Sequence, residues 1–351
     1  MGHRRFSLVG RIGSAFAVLL LALSLLVQIA SAQVATPIAS PVGNPVGSPV
    51  GSPVALGDPV AASAGWLVAQ QLEDGSFAGF SGTADAGTTT DALIALAVAS
   101  DRGIDVNDAI DGALTYLYAN GSAYANKGAG QAAKLVIAIA AVNGDATKAA
   151  GGNPLDLVTG AKAGPNGVYG TGIFDHAYVI LALVAAGDDV PQAAIDALAS
   201  TQIMDGSWGF DGKTTAGNGD TNTTALVIQA LVAGDQSDNP MVARAFAYLK
   251  TTQTANGSFP YQGGAAAVGD ANSSALVVQA IIATGGDPAS ADWHDAQGAL
   301  EAFQNADGAF RYQDAPPDDN LFATVQALPA VAGYDFGSIL IGDQNATPIA
   351  A

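Results

Sequence analysis

One short phrase recurs along the chain: a glutamine, then Asp-Gly or Asn-Gly, then an aromatic residue. It reads Gln71…Asp74-Gly75-Ser76-Phe77, Gln202…Asp205-Gly206-Ser207-Trp208, Gln253…Asn256-Gly257-Ser258-Phe259 and Gln304…Asp307-Gly308-Ala309-Phe310. Two weaker copies, Asn120-Gly121-Ser122 and Asn166-Gly167-Val168-Tyr169, lie between the first and second, so successive glycines are 46, 46, 39, 51 and 51 residues apart. That period is the length of a helical hairpin, and one hairpin alone cannot bury its apolar face, so six of them must stack on one another.

Each unit reads as two helices of different character. Pro191 to Leu198 opens with proline at a first helical position and spaces its apolar residues as an amphipathic helix does. After the Asp205-Gly206 turn, Asn222 to Ala233 is apolar on nearly every side and must be buried. The same inner-helix pattern predicts Thr90 to Ala99, Gln131 to Val142, Asp175 to Ala186, Ser273 to Ala283 and Asn320 to Val331. Outer helices are expected to start at Asn153-Pro154, Val190-Pro191, Asn239-Pro240 and Asp287-Pro288. Six buried helices inside six amphipathic ones make an all-α fold, an α/α toroid, with an open solenoid of the same hairpins as the rival. Neither end resembles a polar capping repeat, which favours closure. The motif glycines are expected to end a helix with positive φ, and the motif glutamines to bond loose backbone groups there.

The toroid is assigned to residues 58–341 as one domain. Residues 1–32 look like an export signal: Arg4, Arg5 and Arg11 precede an uncharged run from Ile12 to Ala30, and Ala30-Ser31-Ala32 offers a small-residue cleavage site. An uncleaved membrane anchor through residues 12–30 is the alternative. Residues 33–57 repeat Pro-Val-Gly and read as an extended spacer, and 342–351 as a loose tail. The expected location is extracellular or at the cell surface, as a monomer. No cysteine is present, so disulfides, thiolate metal sites and lipid-modified cysteine are excluded. Three of the 12 Lys and Arg lie in the leader, leaving 9 basic against 31 acidic residues, a net of −22. Nucleic acid and anionic surfaces are unsuitable partners for such a chain, whereas a cationic ligand or divalent cation suits it.

At the repeat itself the chain resembles the terpenoid cyclase and protein prenyltransferase superfamily, whose Gln-to-Trp motif is matched by Gln202…Gly206-Ser207-Trp208 and, with Phe for Trp, by the other strong copies. The resemblance covers about 280 residues and implies the toroid, while the superfamily spans cyclases, zinc-dependent transferases and vitamin-B12 carriers. Squalene-type cyclases draw their proton from the middle acid of Asp-x-Asp-Asp-Thr-Ala. The matching segments here are Asp220-Thr221-Asn222-Thr223-Thr224-Ala225 and Asp270-Ala271-Asn272-Ser273-Ser274-Ala275, which put an amide at the donor position. The prenyltransferase zinc site needs a cysteine that this chain lacks. Carriers of the intrinsic-factor type are similar at Gly219-Asp220-Thr221-Asn222 and the following Gln229-Ala230-Leu231, which makes a corrinoid a candidate ligand, though no second domain follows to cover it.

All inner helices should start at one opening. That gathers Asp85 or Asp91, Asp175, His176, Asp220, Asn222, Asp270, Asn272, Asp319 and Asn320 around a mouth towards which six positive dipole ends point. Each Asp or Asn is equally an N-cap by type. The Asp175-His176 pair reads as a proton-transfer pair, a metal ligand or a buried structural histidine. The function expected is a ligand-binding or interaction module that takes a small apolar or corrinoid ligand, Ca2+ or a cell-surface protein. An isoprenoid-acting enzyme with Asp175, His176, Asp220 or Asp270 in catalysis, and a purely structural surface domain, are the alternatives.

Overall fold

An inner helix of this chain begins where a capping side chain meets a run of small hydroxyl and apolar residues. Asp85, Asp220, Asp270 and Asn320 each accept the N–H three residues on, from Thr88 at 2.8 Å, Thr223 at 2.7 Å, Ser273 at 2.8 Å and Ala323 at 2.9 Å. In the computed structural model, which describes residues 57–149, 156 and 167–341, these caps start helices of 16, 13, 13 and 11 residues. The expected signal, the anchor at 12–30, most of the spacer, the tail and the outer-helix start at Asn153-Pro154 lie outside the described residues.

The elements in order are α1 (Pro59–Ala69), a two-residue hairpin β1 (Phe77–Ala78) and β2 (Ala84–Asp85), α2 (Ala86–Asp101), α3 (Asn107–Ala125), α4 (Ala129–Ala140) and α5 (Ile173–Ala185). Then come α6 (Gln192–Thr201), α7 (Thr221–Ala233), α8 (Pro240–Thr252), α9 (Ala271–Ala283), α10 (Ala296–Glu301), α11 (Leu321–Val331) and α12 (Phe336–Ile341). Helices α2, α4, α5, α7, α9 and α11 pack each against the next, and α11 packs against α2. The ring is therefore closed, and the fold is an α/α toroid with α1, α3, α6, α8 and α10 outside.

The repeated phrase joins one unit to its neighbour. Gln71 Nε2 donates to the carbonyl of Gly75 at 2.9 Å and to that of Ala109 in the next outer helix at 2.8 Å. Gln202 does the same to Gly206 and Met241, and Gln253 to Gly257 and Trp293. Gln304 donates to Pro59 at 2.8 Å, 245 residues away, so the last unit is clasped to the first by the same bond. The motif glycine must be glycine for two reasons. At Gly206 φ is 96°, and a Cβ would lie 2.2 Å from the Arg244 carbonyl oxygen of the next outer helix. The aromatic then turns inward, and Phe77, Trp208, Phe259 and Phe310 are fully buried. Burial of each is worth about 1.5–3 kcal/mol. Their backbone N–H groups are received by Thr89, Trp208's by Thr224, and likewise Ser274 and Thr324, each four residues past a cap.

Two expectations are corrected. The weak copy Asn120-Gly121-Ser122 is no turn: leucine, not glutamine, stands four residues earlier, and α3 runs through it to Ala125. The outer helix expected from Asp287-Pro288 is replaced by a 3-10 turn, Ala291–Trp293, and the six-residue α10, because His294 and Asp295 take left-handed φ values of 43° and 53° between them. Helix α12 was not anticipated. It packs on α2, α5, α7 and α9 at the end of the ring opposite the caps, where Gln229 Oε1 accepts the Phe336 N–H at 3.1 Å and Gln279 donates to the Tyr334 carbonyl at 3.2 Å. No described helix is long and apolar enough to cross a membrane.

Candidate functional site

The six inner helices share one register when counted from their first cap residue, with Gly128 and Gly172 filling that place in α4 and α5. Two residues in stand Gly87, Gly130, Phe174, Asn222, Asn272 and Phe322. Six residues in, about one turn deeper, stand Asp91, Lys134, Tyr178, Leu226, Leu276 and Gln326. The first set rims the mouth and the second lies in the pore.

The pore is filled. Lys134 forms an ion pair with Asp91 and stands 5.5 Å from the centroid of the Tyr178 ring. Burial by itself would depress the Lys134 ammonium, but the Asp91 carboxylate and the Tyr124 and Tyr178 phenols outweigh it and hold it well above the usual lysine value. Burial raises both tyrosines as well, opposed by that same ammonium. Asn272 donates its amide to Gln326, and Phe336 from α12 meets Tyr178 edge-on at 5.8 Å. What remains among Asp91, Tyr178, Leu276, Gln326 and Phe336 is a void of about 30 Å³, room for a water or two.

Several residues expected at the mouth are occupied by the fold. Asp220 and Asp270 are 1% and 2% exposed, and each carboxylate caps its helix and also accepts a hydroxyl, from Thr223 or Ser273. Asp220 accepts the Phe210 N–H besides. Burial, only partly offset by those bonds, pushes both acids up to about 6. Three of the six dipole ends expected at the mouth are likewise engaged: the first N–H groups of α5, α7 and α9 donate to the carbonyls of Phe210, Tyr261 and Tyr312 in the next loop.

His176 sits at the place where other units carry the hydroxyl that receives the motif aromatic. Its Nδ1 accepts the Tyr169 N–H at 3.0 Å and its Nε2 donates to the Ala194 carbonyl at 3.0 Å, and the ring is fully buried. Burial lowers its pKa, against the raising effect of the Ala194 bond. With both nitrogens committed, His176 is a structural residue and the reading as a proton-transfer group or metal ligand is withdrawn. Asp175 receives the backbone N–H and hydroxyl of Thr171. Asp319 is exposed and binds Asn305, and Asn320 is a cap. Asp91 is no cap; Asp85 is. Among the described residues no three His, Cys, Asp or Glu side chains are placed to hold a metal ion together.

What the mouth does present is a cleft of about 360 Å³ lined by Gly79, Phe80, Ser81, Asp85, Thr88, Asp91 and Phe322. Phe80 and Phe322 stack with centroids 3.9 Å apart and planes 12° from parallel, and Phe80 is 77% exposed. Across the rim, the side-chain oxygens of Asn222 and Asn272 are enclosed without a partner among the described residues. The sequence reading missed Lys134, Tyr178, Phe80, Phe322 and Gln326. Lys134 carried a visible signal, a lone charge inside the otherwise apolar run Ala129–Ala140. Phe80 carried none.

No family model matches the chain, and no curated protein matches it. Solved structures do. The type II terpene cyclase MstE from Scytonema superposes with a TM-score of 0.53 at 16% identity, over 79% of this chain and 97% of that one. A protein from Actinoplanes superposes with a TM-score of 0.57 at 16% identity, over 78% and 98%. The unsaturated glucuronyl hydrolase of Bacillus sp. GL1 gives a TM-score of 0.52 at 14% identity, over 78% and 94%. The fold of this chain is thus the α/α toroid that it shares with these solved structures.

Proposed function

We propose that this chain is an exported binding module that takes a small ligand at the mouth of its toroid and carries out no cyclisation in the pore. The observation that carries the reading is the contrast between the two voids, about 30 Å³ in the pore and about 360 Å³ at the mouth. Sites that enclose a small molecule measure roughly 300–1,000 Å³. A terpenoid chain has no room in the pore unless the Asp91–Lys134 pair and the amides around it are displaced. The acids are also poorly placed: amides Asn222 and Asn272 stand at the position resembling the cyclase donor, and Asp220 and Asp270 are enclosed caps. The leader-like start and the Pro-Val-Gly spacer support export to the cell surface.

The test pairs native mass spectrometry of the full chain from its source with incubations in squalene and geranylgeranyl diphosphate. A retained small molecule that is lost in Phe80→Ala, with no cyclised product, is expected. A cyclised product whose formation disappears in Asp220→Asn would return the reaction to a buried acid. Retention unaffected by Phe80→Ala would move the site away from the mouth.

A further inference from the structure

The composition of the mouth cleft narrows the chemistry of what it holds, given the reading of the mouth as the ligand site. Its lining contains two carboxylates and two phenyl rings and no lysine or arginine. One oxygen of Asp85 accepts from the Thr88 N–H and hydroxyl, and its other oxygen has no partner among the described residues. One oxygen of Asp91 meets Lys134, and its second is likewise without a hydrogen bond there. Lys134 is thereby spent on Asp91, one turn below Gly87 and Gly130, and does not neutralise Asp85.

Phe80 and Phe322 form one wall. A 77% exposed phenyl stacked on a second ring on an otherwise polar rim is a preformed π surface, held in place without burial of its own. Aromatic faces beside carboxylates attract cations carrying hydrocarbon: the ring quadrupole and the negative charge act in the same sense, and the alkyl groups cover apolar surface. Anions are repelled by both features. The field of the chain beyond the leader points the same way, since it carries 31 acidic residues against 9 basic ones.

We infer that the mouth cleft formed by Phe80, Phe322, Asp85 and Asp91 is a binding site for an organic ammonium group, with the alkylated nitrogen against the phenyl wall and its charge facing the Asp85 carboxylate, beside the free oxygen of the Lys134-paired Asp91. The group is recognised alike on a free metabolite such as a choline or polyamine and on a larger carrier that displays one. Ca2+ is not an equivalent ligand, because the phenyl wall offers it no oxygen.

The full-length protein is titrated calorimetrically with choline and with spermidine, at low and at high salt, with the uncharged oligosaccharide maltotriose as a third probe. Saturable binding of choline or spermidine is expected, weakened by salt for both. Phe80→Ala, at an exposed position that leaves folding untouched, should weaken it about tenfold. Asp85→Asn keeps the cap, because asparagine caps as well as aspartate, and should weaken it about fivefold through charge alone. An ordered preference for choline marks a quaternary headgroup as the target, and one for spermidine marks a polyamine. Binding of maltotriose but of neither ammonium, lost in Phe80→Ala, would overturn the ammonium assignment and leave the mouth reading intact. Ammonium binding unchanged in both variants would overturn both, as would no saturable binding of any probe to a chain that also retains nothing from its source.

Discussion

Asp220 and Asp270 make the stability of this protein fall as pH rises through the mildly acidic range. Each side chain is almost fully enclosed, and burial lifts it from 3.8 to about 6 in spite of the N–H and hydroxyl groups it accepts. Between about pH 4 and pH 6 the folded state therefore holds protons that the unfolded chain has given up, and stability is lost as those protons leave. About two pKa units per residue corresponds to roughly 3 kcal/mol each, an upper figure because enclosed carboxylates relax their surroundings when they ionise. Below about pH 4 the trend reverses, since Asp74 and Asp145 are held below the usual range by the Ser76 and Thr147 groups that donate to them, and they lose those bonds on protonation. Urea unfolding at successive pH values, followed by circular dichroism, measures the slope. Asp220→Asn should halve it: the amide still accepts the Thr223 N–H but turns an N–H towards the Phe210 N–H, so the variant lies below the parent at about pH 4 by roughly 1–3 kcal/mol and converges on it at neutral pH. Burial holds His176 below its ordinary value and so adds an opposing rise with pH, which the comparison of parent and variant cancels; a difference between parent and Asp220→Asn that stays constant from pH 4 to 7 would refute the reasoning.

Three further outcomes follow from the packing. Lys134→Met leaves Asp91 unpaired beside the mouth and should cost less than the about 3–5 kcal/mol of breaking a fully buried pair, whereas Asp91→Leu with Lys134→Met should recover most of that loss in the same unfolding assay. Gly206→Ala should cost more than the roughly 1 kcal/mol of a strained φ, because its Cβ would meet the Arg244 carbonyl at 2.2 Å; a melting temperature unchanged from the parent would count against the close approach. Gln304→Ala removes the bonds that join the last unit to the first and should lower stability by about 1–3 kcal/mol, with hydrogen exchange rising first in α1 and α10, while an exchange map unchanged there would mean that ring closure does not depend on this clasp.

The fold was legible because its rule is repeated and local. A glutamine four residues before a glycine, and an aromatic two residues after it, can be read without any knowledge of neighbours, and the bond from each glutamine to its own motif glycine is of the kind the phrase implies, whereas its second bond, to the next unit, is not. Where a unit lost the phrase, as at Leu117…Gly121, the reading failed in the same place, and the helix simply continued. The outer helix after Pro288 failed for a different reason: the pair His294-Asp295 takes left-handed φ values, and nothing in the local sequence announces it.

The site was less legible for a reason built into the repeat. Residues that look chemical in the sequence, Asp220, Asp270 and His176, recur at registers where every unit needs a polar group to cap a helix or receive a buried N–H, and the fold consumes them. Side chains two and six residues past each cap face the axis and answer to no neighbour's backbone, so, joined at the cleft by the loop residue Phe80 and the unpartnered oxygen of the cap Asp85, these registers are free to carry chemistry. There the units differ most: glycine, phenylalanine or asparagine at the rim, and aspartate, lysine, tyrosine, leucine or glutamine below it. Variation at a fixed register within an otherwise uniform repeat is therefore a stronger pointer to function here than the motif itself, and it leads to the Phe322 rim and the Asp91–Lys134 pair without appeal to any residue's reputation as an acid or a ligand.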